Sequence, residues 1–323
     1  MSSRLVVRER GYRRGRWGNV GEPHVTPRRF RVAVGAALGS LCVIIVTGAL
    51  VRLTGSGLGC MDWPRCSESK FVDISSGHTA IEQLNRLFTG VVSATVIVVV
   101  LSAHRLRPRR KDLVLLAWSL VAGVLVQVVI GGVVVLTGLN PFANMAHFLV
   151  SMILVACGLA LHRRAGSPES SPTWRSVPVA LRSAHAVLFV LVPTAIVTGT
   201  VVTATGPHAG DENAVRFGFA LKSIARVHSV SVIGTLLVLA YVGWRTMRRS
   251  SFAAATSGDY RDAVGNMIFV GVVQAGVGWL QYLTGVPVIL VAVHIAGATA
   301  FWLSWCALAL ATPTNPSHTV VTR

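Results

Sequence analysis

The sequence predicts an all-α membrane protein with eight transmembrane helices, arranged as two parallel four-helix-bundle repeats with both termini in the cytoplasm. Three observations predict this fold. The 323-residue chain is 52% hydrophobic and only 13% charged, with a mean hydropathy of +0.62, whereas soluble domains carry about 25% charged residues. Its basic residues are concentrated in alternate loops, and one segment of the sequence occurs twice. A soluble globular fold is therefore not expected.

Eight apolar runs define the predicted spans. Most of them have about the 20 residues that a helix needs to cross the hydrocarbon core of a bilayer. In chain order, they cover residues 32–53, 80–103, 113–136, 143–161, 179–202, 219–244, 263–283 and 288–311.

The net charge of +18 is distributed as a topological signal. Basic residues cluster before the first predicted span and after the second, fourth and sixth, while the intervening loops carry few. This positive-inside pattern places the basic loops and both termini in the cytoplasm. The excess charge indicates contact with membrane lipid, and nucleic-acid binding is not expected. Residues 1–30 are predicted to be a basic, disordered cytoplasmic tail, residues 163–178 a cytoplasmic linker, and residues 312–323 a second cytoplasmic tail.

The duplication divides the chain into an N-terminal half, residues 31–162, and a C-terminal half, residues 179–311. The segment TGALVRLTG at 47–55 is similar to TGTVVTATG at 198–206. Four spans per half is an even number, so both halves enter the membrane in the same sense, and sites are expected in or between them. Core-facing side chains of such bundles can hold cofactors. A second set recurs at constant spacing: Gln127, Thr137, Gly138 and His147 correspond to Gln274, Thr284, Gly285 and His294.

The first outer loop carries two cysteines, Cys60 and Cys66. By the charge pattern this loop lies outside the cytoplasm, in an oxidising compartment where a disulfide can form. Two interpretations stay open: a structural disulfide that staples the loop, or a redox-active pair that serves chemistry at the outer face.

Three histidines, His147, His228 and His294, lie a few residues inside the outer ends of apolar spans. Two imidazoles at equal depth on facing helices supply the axial ligands of a haem. Zinc usually takes a third or fourth protein ligand close by, and the sequence places none there. Asn85 occupies the position in the second span that His228 occupies in the sixth.

Charged residues accompany these candidates at the outer ends of the spans. Glu82, Asn85 and Arg86 share one helical face, and ionisable groups at that depth normally face the bundle interior. Arg52, Arg86 and Arg226 are predicted to pair with haem propionates, because guanidinium forks match carboxylates in geometry and charge.

Together these motifs resemble the bacterial haem A synthase family. The likeness rests on TGALVRLTGSGLGCMDWPRC, on IEQLNRL in the second span, on the segment from Gln127 to His147, and on His228 and His294; it covers residues 31–311. The resemblance implies a membrane oxidoreductase of the bacterial cell membrane that oxidises the C8 methyl of haem O to a formyl group, giving haem A for terminal oxidases. It also implies a resident haem b, and haem O synthase and cytochrome oxidase assembly as possible partners.

One residue departs from the family pattern. The second-span motif of the family reads E-x-x-H-R, whereas this chain has Asn85 at the histidine position. Asparagine is a poor iron ligand compared with imidazole, so the two halves are predicted to differ. His228 and His294, with Arg226 beside them, are predicted to hold the resident haem b.

The N-terminal half is predicted to receive haem O through the iron ligand His147, and Glu82 is the predicted catalytic residue. The resemblance implies stepwise oxidation through an alcohol, with electrons leaving by way of the second-half haem. Glu82 would transfer a proton or stabilise a developing cation. The other residues predicted around the substrate haem are Asn85, Arg86 and Arg52.

Three other functions fit parts of the sequence. A di-haem cytochrome b that passes electrons from quinol requires another strong ligand in place of Asn85. A haem transporter typically has helices broken near the bilayer middle, and Pro193 is the main candidate for such a break. A purely structural oxidase assembly factor leaves the buried histidines without a purpose.

Overall fold

The computed structural model describes residues 24–167, 179–248 and 258–311, and in these ranges the chain is all-helical. Eight helices are long and apolar enough to cross a membrane, which confirms the predicted fold class and its eight spans. They are α1 (Pro27–Leu53), α2 (Gly77–Arg105), α3 (Lys111–Leu136), α4 (Pro141–Ala165), α5 (Val179–Thr205), α6 (Leu221–Met247), α7 (Gly258–Leu283) and α8 (Val288–Ala309).

Each half packs its helices in chain order, so α1 lies against α2, α2 against α3 and α3 against α4, and α5 to α8 repeat this sequence. The halves meet where α1 and α4 pack against α8, and α4 also packs against α5. The indole Nε1 of Trp302 on α8 donates to the carbonyl oxygen of Met152 on α4 at 2.7 Å. Ile196 of α5 belongs to the same buried apolar cluster as the core of the first half. The relation of the two halves by an axis along the membrane normal stays a prediction.

The helix ends form two distinct faces. At one, the amide of Val25 donates to the carbonyl of Arg105 at 3.1 Å, and Arg110 Nη1 donates to the carbonyl of Ser167 at 2.8 Å. At the other, the amide of Gly57 donates to the carbonyl of Gly210 at 2.9 Å, which joins the outer loops of the two halves. The described parts of the basic segments before α1, after α2 and after α4 thus share one face, while the cytoplasmic placement of that face and of the termini stays a prediction.

Some helix boundaries differ from the predicted ones for local reasons. The first helix begins at Pro27, inside the predicted tail, because Thr26 caps it by accepting from the amide of Arg29. A proline at the first helical position costs no hydrogen bond. The fifth helix continues through Pro193 without ending, as proline in transmembrane helices often allows. Residues 1–23 and 312–323 of the predicted tails, and 168–178 of the linker, lie outside the described residues.

Candidate functional site

The C-terminal half carries His228 on α6 and His294 on α8. Helix α7 packs against both of these helices, and both rings are half-buried. The Nδ1 of His228 lies 3.1 Å from the hydroxyl of Thr198, and the Nδ1 of His294 lies 3.0 Å from Nε2 of Gln274. The Thr198 hydroxyl can accept from Nδ1 of His228, which leaves Nε2 of that ring available to a metal, whereas Nε2 of Gln274, which also donates to the backbone carbonyl of His294, meets Nδ1 of His294 as a donor.

A Thr-Gly pair on α5 seats the His228 ring. The hydroxyl of Thr198 donates to the carbonyl of Thr194 at 2.8 Å, so it is free to accept from Nδ1–H of the imidazole. The next residue, Gly199, has no side chain, and a Cβ there would lie 3.2 Å from Cε1 of His228. The pair therefore fixes a tautomer suited to ligation through Nε2 and leaves room for the ring.

The N-terminal half has a corresponding Thr-Gly pair, Thr47 and Gly48, which contacts Asn85 in place of a histidine. Thr47 donates to Oδ1 of Asn85 at 2.8 Å, and a Cβ on Gly48 would lie 3.9 Å from Nδ2 of the same residue. The repeated TG dipeptide thus performs one structural task in both halves. The repeat of this dipeptide is visible in the sequence, but its contact is not.

His147 lies on α4, in surroundings similar to those of the other candidate ligands. A glycine of α3 faces its ring, since a Cβ on Gly131 would lie 3.4 Å from Cε1. Gln127 donates to the backbone carbonyl of His147 at 3.0 Å. The Nδ1 of His147 is buried without a hydrogen-bond partner among the described residues. In the second half a Cβ on Gly278 would lie 2.9 Å from Cε1 of His294, so three imidazoles and one amide occupy four similar seats.

Glu82 is buried, with 5% of its surface exposed, and both of its carboxylate oxygens are engaged. Oε2 accepts from the amide of Cys60 at 2.7 Å, and Oε1 accepts from Nε of Arg86 at 3.0 Å. Arg86 also donates to the backbone carbonyls of Asp62 and Arg65. The predicted shared face of Glu82 and Arg86 is present, and in the structure it anchors the first outer loop.

Cys60 and Cys66 form a disulfide in this loop. The loop covers the outer end of α3, where the ring of Trp63 packs over Gly132: a Cβ there would lie 2.9 Å from the indole. The backbone carbonyl of Cys60 accepts from Arg86 at 3.2 Å. The disulfide loop and the Glu82 ion pair are thus one connected unit.

The remaining predicted arginines lie in two different environments. Arg52 donates through Nε to the carbonyl of His208 at 2.8 Å and through Nη2 to the carbonyl of Thr203 at 3.0 Å. It therefore ties α1 to the end of α5 and to the segment that follows it. Arg226 is exposed on α6. The pairing of Arg52 and Arg86 with propionates stays a prediction; among the described residues, Arg52 donates to backbone carbonyls and Arg86 to backbone carbonyls and to Glu82.

The donor set fits an iron porphyrin, because two imidazoles lie on non-consecutive helices of one bundle. The fold and these seats define a polytopic helical membrane protein with a candidate haem-binding core. The family described as cytochrome oxidase assembly protein, COX15-CtaA, matches residues 31–80 and 72–306. The chain belongs to this family.

Several bacterial relatives carry the name Heme A synthase. The protein of Lysinibacillus sphaericus is 36% identical over 130 residues, which are 40% of this chain and 42% of the relative. That of Geobacillus thermodenitrificans is 32% identical over 113 residues, 34% of this chain and 35% of the relative. The protein of Listeria welshimeri is 33% identical over 119 residues, which are 36% of this chain and 39% of the relative. In each case the aligned part spans less than half of the relative's length.

Proposed function

We propose that this protein is a haem A synthase, which oxidises the C8 methyl of haem O to a formyl group and so supplies haem A to terminal oxidases. Membership of the cytochrome oxidase assembly protein family and the similarity to proteins named Heme A synthase support this function. The structural observation that carries it is the set of four similar seats, three of them holding an imidazole.

In this proposal His228 and His294 hold a resident haem b. The hydroxyl of Thr198 orients the ring of His228, as partners of ligating histidines generally do; Nε2 of Gln274 lies beside Nδ1 of His294. When bound, haem b supplies one-electron redox chemistry close to the substrate. Arg226 lies exposed on the helix of His228, where its guanidinium can reach a propionate.

The N-terminal half binds haem O as substrate through His147. Asn85 fills the opposite seat with an amide held by Thr47, so the substrate iron receives one imidazole from this half. Single ligation suits a haem that must enter and leave. With water as the oxygen donor, conversion of the methyl to an alcohol releases two electrons and two protons, and conversion of the alcohol to the aldehyde releases two more of each; these four electrons would leave one at a time by way of the second-half haem to an external electron acceptor.

Glu82 is the proposed acceptor for these protons, or the group that stabilises a developing cation. It is the buried acidic side chain at the outer end of the substrate half. Its ion pair with Arg86 keeps a carboxylate at this depth, since a buried charge requires a partner. Arg86 and Arg52 are assigned to positioning the outer loop and the segment after α5, in agreement with their contacts.

The decisive experiment is expression of the full chain in a host that makes haem O but lacks haem A, followed by pigment extraction and chromatography. Haem A is expected only when the chain is present, and a His147→Ala variant is expected to leave haem O unconverted. A di-haem electron-transfer protein or a haem transporter would bind pigment and yield no haem A. That result would overturn the proposal.

A further inference from the structure

The side chain of Trp302 crosses from the second half of the chain to the first. Trp302 lies on α8, the helix that carries His294, and its indole Nε1 donates to the backbone carbonyl of Met152 at 2.7 Å. Met152 lies on α4, the helix that carries His147. The indole therefore connects the helix of one candidate iron ligand in the second half to that of the candidate ligand in the first.

Helices α4 and α8 pack against each other and begin at the same face of the molecule. The segment after α5 reaches the start of both helices. Nε2 of His208 lies 2.8 Å from the carbonyl oxygen of Val286, just before α8. A Cβ on Gly210 would lie 2.9 Å from the side chain of Leu139, just before α4. The two helices therefore run in the same direction through the membrane.

The hydrogen bond lies on the inner side of both histidines. At 1.5 Å per residue, Met152 is about 7.5 Å along α4 from His147, and Trp302 is about 12 Å along α8 from its histidine. Helix side chains tilt toward the N-terminus, so the indole of Trp302 reaches back toward the level of His294. The bond thus joins the two helices within a few turns of both candidate ligands.

Apolar residues beside the histidines pack in the same region. Ile295, which follows His294, packs against the buried apolar cluster of the first half. Phe148, which follows His147, packs against the same cluster. The ring of Trp302 packs against this cluster and also against the buried cluster of the second half. The contact between α4 and α8 is therefore the place where the two histidine helices are held together.

The duplication does not repeat this hydrogen bond. At the constant spacing of the repeated set, Trp302 corresponds to Val155 and Met152 corresponds to Thr299. The side chain of Val155 is buried and has no donor, and the hydroxyl of Thr299 donates within its own helix, to the carbonyl of Ile295 at 3.0 Å. Packing within a four-helix half thus does not require an indole here, and the contact that Trp302 makes is one between the halves.

We infer that Trp302 is a positioning residue for electron transfer between the halves, because it fixes the separation and orientation of the helices that carry His147 and His294. This inference rests on the proposed function, in which electrons leave the substrate haem by way of the second-half haem. The step makes and breaks no bond. One electron leaves the substrate haem iron, which is oxidised, and reduces the haem b iron, which the external acceptor reoxidises. Electron tunnelling weakens steeply with distance, so a looser interface slows this step.

The first measurement is hydrogen exchange of the backbone amides in the purified full chain, a readout that does not depend on electron transfer. Trp302→Phe keeps an aromatic ring and removes the indole donor. It is expected to raise exchange in the α4 turn that begins at Met152 by about 2- to 10-fold, the range for one lost hydrogen bond.

Trp305→Phe is the matched control. Trp305 lies on the same helix, and its Nε1 donates to the carbonyl of Leu188 at 3.4 Å, within the second half. The control makes the same exchange of side chains without touching the contact between the halves. It should leave exchange in the α4 turn as in the wild type.

The second measurement is the rate of electron transfer between the haems in the full chain loaded with haem b and haem O. The half-reduced protein is placed under carbon monoxide, which binds the iron that has one imidazole ligand. A laser flash removes the carbon monoxide, and the electron that then moves to haem b is followed by absorbance. The rate constant is expected to fall in Trp302→Phe and to keep its wild-type value in Trp305→Phe.

A second variant at position 302 separates the hydrogen bond from the volume of the ring. Trp302→benzothienylalanine keeps the bicyclic shape and lacks the N–H donor, and it is expected to lower the rate constant as well. A wild-type rate constant in both position-302 variants would overturn the inference, even with raised exchange on α4, because Trp302 would then be merely structural. Equal slowing by Trp305→Phe, or no transfer between the haems of the wild type, would overturn it too.

These outcomes are separable from failure of the proposed function. Both measurements are made without turnover, whereas the proposed function fails when the wild-type chain yields no haem A. A chain that makes haem A but shows no effect of the variants at position 302 overturns the role of Trp302 alone.

Discussion

Replacing Asn85 with histidine should convert the substrate seat into a second bis-imidazole site. The existing seat fits a ring: a Cβ on Gly48 would lie 3.9 Å from Nδ2 of Asn85, compared with 3.2 Å between a Cβ on Gly199 and Cε1 of His228. Thr47, now 2.8 Å from Oδ1 of Asn85, can accept from Nδ1 of the new ring because the carbonyl of Ile44, at 3.3 Å, is available to its own proton.

The expected change in the rate of haem O release follows from the added iron ligand. Loss of only an orienting partner costs about 10- to 100-fold in metal affinity, so gain of a whole imidazole ligand should slow haem O release by at least about 100-fold. Because the family motif itself carries a histidine at this position, Asn85→His should still yield haem A while bound haem O rises. The helix itself should tolerate the change, because histidine and asparagine have similar helix propensities.

The assay combines pigment chromatography of the purified protein, the rate of haem transfer to apomyoglobin, and electron paramagnetic resonance. Asn85→His should add a second low-spin signal. Asn85→Gln is the matched control, since it keeps an amide at this seat and adds no imidazole. Equal haem O release from the two variants, with no new low-spin signal, would refute the claim that the Thr47 seat accepts a ring aimed at iron.

Two further predictions concern single contacts. Glu82→Ala should accumulate haem O or the alcohol while haem b content is retained. Glu68→Ala, which removes an exposed carboxylate of the first outer loop, is the control and should behave as the wild type. An unchanged haem A yield in Glu82→Ala would show that Glu82 takes no part in the reaction. Thr198→Val keeps the shape of the side chain but leaves Nδ1 of His228 without its hydroxyl partner, a loss of about 1–3 kcal/mol for a buried polar group. It should loosen haem b and shift its reduction potential, whereas Thr194→Val, one turn earlier and exposed, should leave the potential unchanged.

The spans and the candidate histidines were readable from the sequence because each depends on properties local to one helix. Bilayer thickness sets the length of an apolar run, and a histidine inside such a run is conspicuous. The i, i+4 relation of Glu82 and Arg86 was equally local, and the structure pairs them. The duplication also identified the matching positions of Asn85 and His228 without any knowledge of packing.

The hydrogen-bond partners of Arg52 and Arg86 could not be predicted from the sequence in the same way. The pairing of Arg52 and Arg86 with propionates stays a prediction, and the structure adds that they donate to backbone carbonyls of the segment after α5 and of the first outer loop. Such carbonyls carry no sequence signal, because every residue has one. Only the approach of separate segments shows which carbonyl a guanidinium reaches.

The sequence by itself determined an eight-span membrane protein built from two similar halves, with histidines at three of four corresponding positions. The tertiary structure alone decided that Gln274 contacts the ring of His294 while Gln127 turns to Ser151. The two glutamines are identical in type and spacing, so no one-dimensional pattern separates them. Their difference arises from the space beside Gly297 and from one hydroxyl on the neighbouring helix, and both act only once the helices are packed together.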